Sequence, residues 1–225
     1  MKKRNLVLSV MTTCLVSCFL LSGCNGQKQI DSETVKTVKT VKVEEQAHLQ
    51  DDTVSPACKI TIDYSYLAES DAADSIAQRI NRTIQAHVLG KEYIRMNPEV
   101  AVDSFKNTYI NNYRKDVNEF YQEDIKNGTP KDELPTWYNY EYGLTTHFSE
   151  GKEGILNFIA ETFEYTGGAH PNSWNKWMNF EKNTGKLLAL KDVFMAGSEK
   201  PMSDMLLEEL ITEMATRLED SSITS

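Results

Sequence analysis

Apolar and polar residues alternate within the segment Ala57–Leu67. The apolar positions on one face are Ile60, Ile62, Tyr64 and Tyr66. A period of two places these side chains on the same side of an extended chain. The segment is therefore predicted to be a β-strand with one buried face.

The apolar period changes to that of a helix after this strand. Between 72 and 89 an apolar residue recurs at every fourth position: Ile76, Ile80, Ile84 and Val88. This spacing forms one stripe along a helix. Gly90 follows, and glycine commonly ends a helix. A helix is predicted over 72–89.

Two further helices are predicted. Asn97 is a favourable helix cap and Pro98 a favourable first residue, so the second helix begins there and continues to about Lys126. Its aromatic stripe, which includes Tyr113 and Phe120, is predicted to face the core. A last amphipathic helix is predicted over 202–218.

The second half of the chain contains a run of predicted strands. They cover about 138–148, Ile155–Tyr165, Ser173–Glu181 and 187–194. Apolar residues of Ile155–Tyr165 lie on both faces, which indicates a central strand. Glycines mark the turns, at Gly167-Gly168 and in Asn183-Thr184-Gly185. Because strands and helices are grouped and the turns are short, the predicted fold is α+β, with an antiparallel sheet packed against two to three helices.

The N-terminus has the pattern of a bacterial lipoprotein signal. A basic start precedes an apolar run over Leu6–Leu21, which ends in Leu21-Ser22-Gly23-Cys24. This resembles a lipobox and implies a signal peptide over 1–23, cleavage before Cys24, and lipid on Cys24 that anchors the protein to a membrane. The alternative is an ordinary secretory signal with a chance cysteine.

Residues 24–52 are predicted to be a tether. They contain a Thr-Val-Lys repeat and are polar enough to stay solvated. The valines leave open a second possibility, that the segment adds to a sheet edge.

Charge and cysteine content exclude several classes of protein. The net charge is −9, and it becomes more acidic after loss of the basic signal, which argues against nucleic-acid binding and suits a cationic partner. Cys58 is the one cysteine outside the signal and Cys24, so no disulfide is predicted, and Cys58 is expected to be a buried, inert thiol.

Residues in the second half carry a resemblance to a known family. The run Tyr165-Thr166-Gly167-Gly168-Ala169-His170-Pro171-Asn172, followed by Asn183-Thr184-Gly185-Lys186 and Leu190-Lys191-Asp192-Val193-Phe194, resembles the extracellular domain of RsiV-type anti-sigma factors. The strand and helix over 53–130 are similar to the companion domain found in those proteins and at the N-terminus of PdaC-type peptidoglycan deacetylases. The resemblance divides the chain into a PdaC-like part, 53–130, and an RsiV-like part, 131–225.

The resemblance implies an α+β domain outside the cytoplasm, in a family that includes lysozyme receptors and partners of peptidoglycan-modifying enzymes. A lipobox stands here where the anti-sigma factors have a transmembrane helix, so direct control of a sigma factor is not expected. The family usually continues with further strands after the last helix. The His-x-x-x-His ligand pair of a metal-dependent deacetylase is also absent from the sequence.

The glycine-rich corner and the nearby aromatic residues form the candidate ligand-binding set. Its members are Gly167, Gly168, His170, Asn172, Trp174, Trp177 and Tyr140. Each has a structural alternative, because glycines permit a tight turn, a histidine can hold a turn together, and aromatic rings fill cores. Trp174 and Trp177 have opposite parity, so at least one is expected to face away from the core.

No catalytic residue, metal site or cofactor is predicted. The histidines lack metal-ligand spacing, although His147 and His170 could meet with Glu161 or Glu164 across neighbouring strands. The leading prediction is a non-enzymatic, lipid-anchored protein of the cell envelope that binds a lysozyme-like protein or a peptidoglycan-derived ligand. The alternatives are a peptidoglycan-modifying enzyme or accessory subunit that uses His170 with a carboxylate, and a scaffold that pairs with a partner sheet through its edge.

Overall fold

The computed structural model describes residues 37–50, 52–69, 75–219 and 222. The elements are β1 (Val38–His48), β2 (Ala57–Leu67), α1 (Ser75–Val88), α2 (Pro98–Lys126), β3 (Tyr140–Glu150), β4 (Ile155–Tyr165), β5 (Asn172–Glu181), α3 (Leu190–Val193) and α4 (Glu199–Arg217). The predicted signal peptide and Cys24 lie outside the described residues. None of the described helices is long and apolar enough to cross a membrane.

The five strands form one sheet in chain order, from β1 at one edge to β5 at the other. β2 and β3 are parallel, whereas the other three neighbouring pairs are antiparallel. The parallel pair arises because α1 and α2 return the chain to the end of the sheet where β2 begins. The α+β prediction is confirmed, with a sheet that is mostly antiparallel. Pairing of β2 with β3 also places the predicted parts 53–130 and 131–225 in one sheet.

β1 corrects the prediction of a solvated tether over 38–48 and confirms the alternative that this segment adds to a sheet edge, whereas residues 24–36 lie outside the described residues. The strand pairs with β2 along its whole length, from Val38 opposite Leu67 to His48 opposite Ala57. Two valines of this strand, Val41 and Val43, pack against the core. The physical reason is that the apolar strand β2 needs hydrogen-bond partners on both of its sides, and β1 supplies one side.

The core lies between the sheet and the two long helices. The alternating residues predicted for β2 are buried on the side that faces the helices. A buried amide fixes α1 to the sheet, since the side chain of Asn81 bonds both the N–H and the C=O of Leu67, at 2.9 and 2.8 Å. Cys58 is fully buried, as predicted, and burial raises the pKa of its thiol to about 12.

The aromatic stripe of α2 packs on β3. The ring of Tyr113 lies 5.1 Å from that of Tyr140, and the ring of Tyr109 lies 4.8 Å from that of Tyr142. The prediction that Phe120 belongs to this core is wrong, because its side chain is exposed and its ring contacts Trp137. Residues four apart, namely Tyr113, Val117 and Tyr121, occupy the buried stripe, and Phe120 lies one position beside it.

The chain after β5 departs from the prediction. Leu187 makes a single bridge to Phe180, and no full strand follows over 187–194 within the described chain. Instead α3 forms, because the Asp192 carboxylate accepts a hydrogen bond from the Ala189 N–H at 2.9 Å and caps the turn. The predicted last helix is present as α4. None of its residues is buried, so α1 and α2 are the helices that cover the sheet.

Candidate binding face of the sheet

One face of the sheet carries none of the described helices. In β3 and β4, residues of one parity point toward α1 and α2, whereas residues of the other parity point to the opposite side, here called the open face. The strand pairing places His147, Ile159 and Trp177 side by side across β3, β4 and β5 on this open face. All three residues lie within strands rather than in loops.

Trp177 is the most exposed aromatic residue on the open face. Its side chain is 67% exposed, while its neighbour Ile159 is only 5% exposed. Ile159 is covered because the side chains of neighbouring strands stand on either side of it. The ring of Trp177 therefore lies beside the apolar side chain of Ile159 and is exposed to solvent. Phe163 and Tyr165 continue the apolar strip along β4 toward the β4–β5 corner, and both are half-buried.

Solvent-exposed polar side chains surround this ring. On the open face Glu161 lies opposite Asn175, and Asn157 lies opposite Asn179. The side chains of His147, Glu161, Asn175 and Asn179 make no hydrogen bond to any other described residue. A flat aromatic ring among free amide, imidazole and carboxylate groups has the chemistry to stack on an apolar ligand face and bond its polar groups.

The β4–β5 corner is held by its first glycine. Gly167 has a φ of 81°, and a Cβ placed there would lie 2.3 Å from the backbone oxygen of Trp137. The tight turn and its packing on Trp137 therefore explain this glycine without a ligand. Gly168 has no such restriction, since its nearest neighbour would be the His170 oxygen at 3.9 Å.

His170 is exposed and bonds to no other described residue. It therefore does not hold the turn together, and no described carboxylate lies within hydrogen-bond distance of it. The possible cluster of His147, His170, Glu161 and Glu164 does not form. Glu164 lies on the helix side and accepts a hydrogen bond from the Tyr109 hydroxyl at 3.0 Å. The described residues contain no group of three His, Cys, Asp or Glu side chains that could hold a metal ion.

Two of the candidate aromatic residues face the helices. Tyr140 is half-buried against Tyr113 and is not part of the open face, so its assignment as a ligand-binding residue stays a prediction; burial raises the pKa of its hydroxyl. Trp174 is on the same side and is 42% exposed. The expectation from parity is confirmed, because Trp174 and Trp177 lie on opposite faces of β5. Asn172 is exposed where β5 begins.

No local sequence pattern predicts which residues are the neighbours of Trp177. Ile159, Glu161, Asn175 and Asn179 join the open face only through the register of β3, β4 and β5. The available signal was the presence of apolar residues on both faces of Ile155–Tyr165. That pattern predicted a strand covered on both sides, whereas in the structure one of its apolar sides belongs to the open face.

Comparisons with known proteins agree with this fold. The family model described as Deacetylase PdaC matches residues 52–173, more than half of the chain. The chain belongs to this PdaC family. The match runs past the predicted boundary at 130, through β3 and β4, and ends as β5 begins. A comparison with curated proteins finds no match.

Two solved structures from the DUF3298 family are similar to the PdaC-family chain. One, from Bacteroides fragilis, is 28% identical with a TM-score of 0.72, and the alignment covers 83% of this chain and 73% of that one. The other, from Pseudomonas aeruginosa, is 15% identical with a TM-score of 0.53, over 83% of this chain and 70% of that one, and shows a shared fold alone. The resemblance to RsiV-type domains stays a prediction.

Proposed function

We propose that this protein is a non-enzymatic, lipid-anchored member of the cell envelope that binds a peptidoglycan-derived glycan on the open face of its sheet. The lipobox at Cys24 supports the location, and membership of the PdaC family supports a link to the cell wall. The ligand contacts are assigned to Trp177 and the polar side chains beside it.

The exposure of Trp177 is the observation that carries this proposal. Two-thirds of the Trp177 side chain is in water, and the residue stands on a strand rather than on a loop. Sugar rings have an apolar face that stacks on an aromatic ring, and their hydroxyl and amide groups bond to side chains at the edge. Asn175, Asn179 and Glu161 lie where such groups would be.

A binding role fits the residues better than catalysis. His170, the candidate acid or base, lies at the exposed corner without a carboxylate partner among the described residues, so no pair is positioned to transfer a proton. Glu161 on the open face faces Asn175 across the strands rather than a second carboxylate. Glycoside cleavage requires two carboxyl groups at a set separation.

A lysozyme-like protein is the second candidate ligand, and the observation that favours it is charge. The chain carries −9, which attracts a cationic protein over a wide surface. Such attraction is spread over many residues and does not need Trp177, so the two ligands depend on different parts of the molecule.

The two exposed tryptophans of β5 allow a matched test. Calorimetric titration of soluble muropeptides into a chain that begins after Cys24 would compare Trp177→Ala with Trp174→Ala. We expect Trp177→Ala to weaken binding at least about tenfold, because it removes the stacking surface, and Trp174→Ala to change it less than about twofold. Equal losses in both variants, or no binding by the unchanged chain, would contradict the assignment of the open face.

A further inference from the structure

The outer edge of β5 has unpaired backbone groups. The Leu188 N–H donates to the Asn179 oxygen at 2.8 Å, and the Glu181 N–H donates to the Lys186 oxygen at 2.9 Å. Odd-numbered residues of β5 therefore point their backbone groups away from β4, because these groups alternate along an antiparallel strand. The outward groups of Ser173, Asn175 and Trp177 have no partner among the described residues.

No described element covers this part of the edge. The chain lies against β5 at Phe180 and turns away at Leu188, and the side chains from Asn172 to Asn175 are all exposed. An open strand edge pairs readily with another extended strand unless charge, proline or a bulge prevents it. The outward stretch from Ser173 to Trp177 contains none of these three protections apart from Lys176, which is directed toward α1, where its ammonium donates to the His87 oxygen.

We propose that the edge pairs with the same edge of a second copy of this chain. The two β5 strands run antiparallel about a two-fold axis at Asn175, so that Asn175 faces its own counterpart and Ser173 faces Trp177. This register uses every outward backbone group of these residues and forms about six hydrogen bonds between the copies. A two-fold contact closes on itself and gives a dimer rather than a fibre.

The ends of the free edge fit this register. Two-fold pairing at Asn175 places Pro171 opposite Asn179. The oxygen of Asn179 already accepts the hydrogen bond from Leu188, and Pro171 has no N–H to offer. At this pair a single backbone hydrogen bond could form, from the Asn179 N–H to the Pro171 oxygen, so the fully paired segment ends here and Pro171 leads the chain away into the corner.

Charge also favours a second copy over a different strand. Two chains of net charge −9 repel each other in general, yet residues 171–180 contain no carboxylate. This segment is a place where two copies can approach without juxtaposed acidic groups. Its amide side chains are suited to facing identical partners, because an amide both donates and accepts hydrogen bonds.

The pairing has a consequence for the open face. A continuous sheet would carry both Trp177 rings on the same side, about 14 Å apart, from strand spacing and residue rise. The inference itself rests on the edge and is independent of any ligand, so the dimer and the glycan site can fail separately.

Cross-linking of the full chain in membranes tests the register. Asn175→Cys places two thiols across the axis, within the Cα separation that a disulfide spans. Asn112→Cys, at an exposed position of α2, is the matched control. Under mild oxidation we expect a disulfide-linked dimer for Asn175→Cys and none for Asn112→Cys or the unchanged chain. Absence of the dimer for Asn175→Cys, a cross-link to a different protein, or equal dimer in both variants would overturn the proposal.

A charge variant tests the same contact without a new bond. Asn175→Asp places two carboxylates across the axis, whereas Asn112→Asp adds the same charge elsewhere. By sedimentation of the detergent-solubilised full chain, we expect Asn175→Asp to raise the dimer dissociation constant at least about tenfold and Asn112→Asp to change it less than about twofold. Matching thermal unfolding curves would show that both variants are folded. A monomeric unchanged chain, or equal effects of the two substitutions, would refute the two-fold pairing.

Discussion

Adjacent glycines at the β4–β5 corner have different physical roles. Gly167 has a positive φ, and its backbone lies so close to Trp137 that no side chain fits. Gly168 has room for a methyl group, and its φ is not positive. We expect Gly167→Ala to lower the free energy of unfolding by about 2 kcal/mol or more, since the strain and the clash add. Urea unfolding followed by fluorescence would measure it.

Gly168→Ala is the control for that substitution. It changes the same atoms one residue away, and we expect a loss below about 0.5 kcal/mol. If both alanine variants lost equal stability, the corner would depend on chain flexibility rather than on the contact with Trp137. A Gly167→Ala variant as stable as the unchanged chain would disprove the packing argument.

The sequence predicted the turn at this corner but not the contact that requires a glycine there. Two glycines before His170 and Pro171 indicated a tight turn, and the turn is present. The contact that requires Gly167 comes from Trp137, 30 positions earlier by the printed numbering, which no local pattern reveals. The exposure of His170 was equally hidden, because it depends on the direction in which the turn leaves β4.

Among the elements, the helices show what apolar periodicity predicts and what it does not predict. α2 begins at Pro98, as predicted, and the side chain of Asn97 accepts a hydrogen bond from the Glu99 N–H at 3.0 Å. The same apolar period predicted the amphipathic helix that forms α4, yet its Leu206 and Leu210 are exposed. Periodicity states which face of a helix is apolar, but not whether another element of the chain covers that face.

α4 is therefore expected to be less stable than α2. A helix of 19 residues without tertiary packing is marginal in water, because most helix stability in proteins comes from burial. In hydrogen exchange followed by mass spectrometry, we expect amides of α4 to exchange at least about a hundredfold faster than those around Tyr113 and Val117 in α2. The comparison within one chain controls for conditions. Equal protection of the two helices would show that something covers α4.

β1 is a strand where a solvated tether was the leading prediction and a sheet edge was the alternative. Its threonine, valine and lysine content matched a solvated tether, since no strict alternation marks the repeat. Its strand structure depends on β2, whose apolar residues were predicted correctly. The backbone groups on the free side of β2 form hydrogen bonds with the nearest extended segment, which is β1. Strand formation at a sheet edge is thus a property of the pair rather than of the segment alone.

For the whole molecule, the order of elements predicted the fold class but not the sheet. Grouped strands and helices gave α+β. The parallel contact of β2 with β3 could not be read from the sequence, because it depends on how α1 and α2 cross the sheet. The open face follows from that crossing, since both helices lie on one side. Trp177 was therefore a candidate by residue type, and its site became visible only through the register of three strands.

The net charge of the whole molecule allows the two candidate ligands to be separated by salt. Attraction between a chain of −9 and a cationic lysozyme-like protein is screened when the Debye length falls from about 20 Å at low salt to a few ångströms. Stacking of a neutral glycan on Trp177 has little dependence on screening, because it relies on apolar contact and short hydrogen bonds.

We therefore expect neutral, N-acetylated glycan oligomers to bind with dissociation constants that differ by less than about twofold between about 20 mM and about 500 mM NaCl. Binding of lysozyme, if it occurs, should weaken at least about tenfold over the same range and should be unaffected by Trp177→Ala. Titration calorimetry at both salt concentrations, with Trp174→Ala as the control for the tryptophan, provides the measurement. Glycan binding that disappears at high salt would contradict stacking as the main contribution, because the ligand carries no charge for the salt to screen.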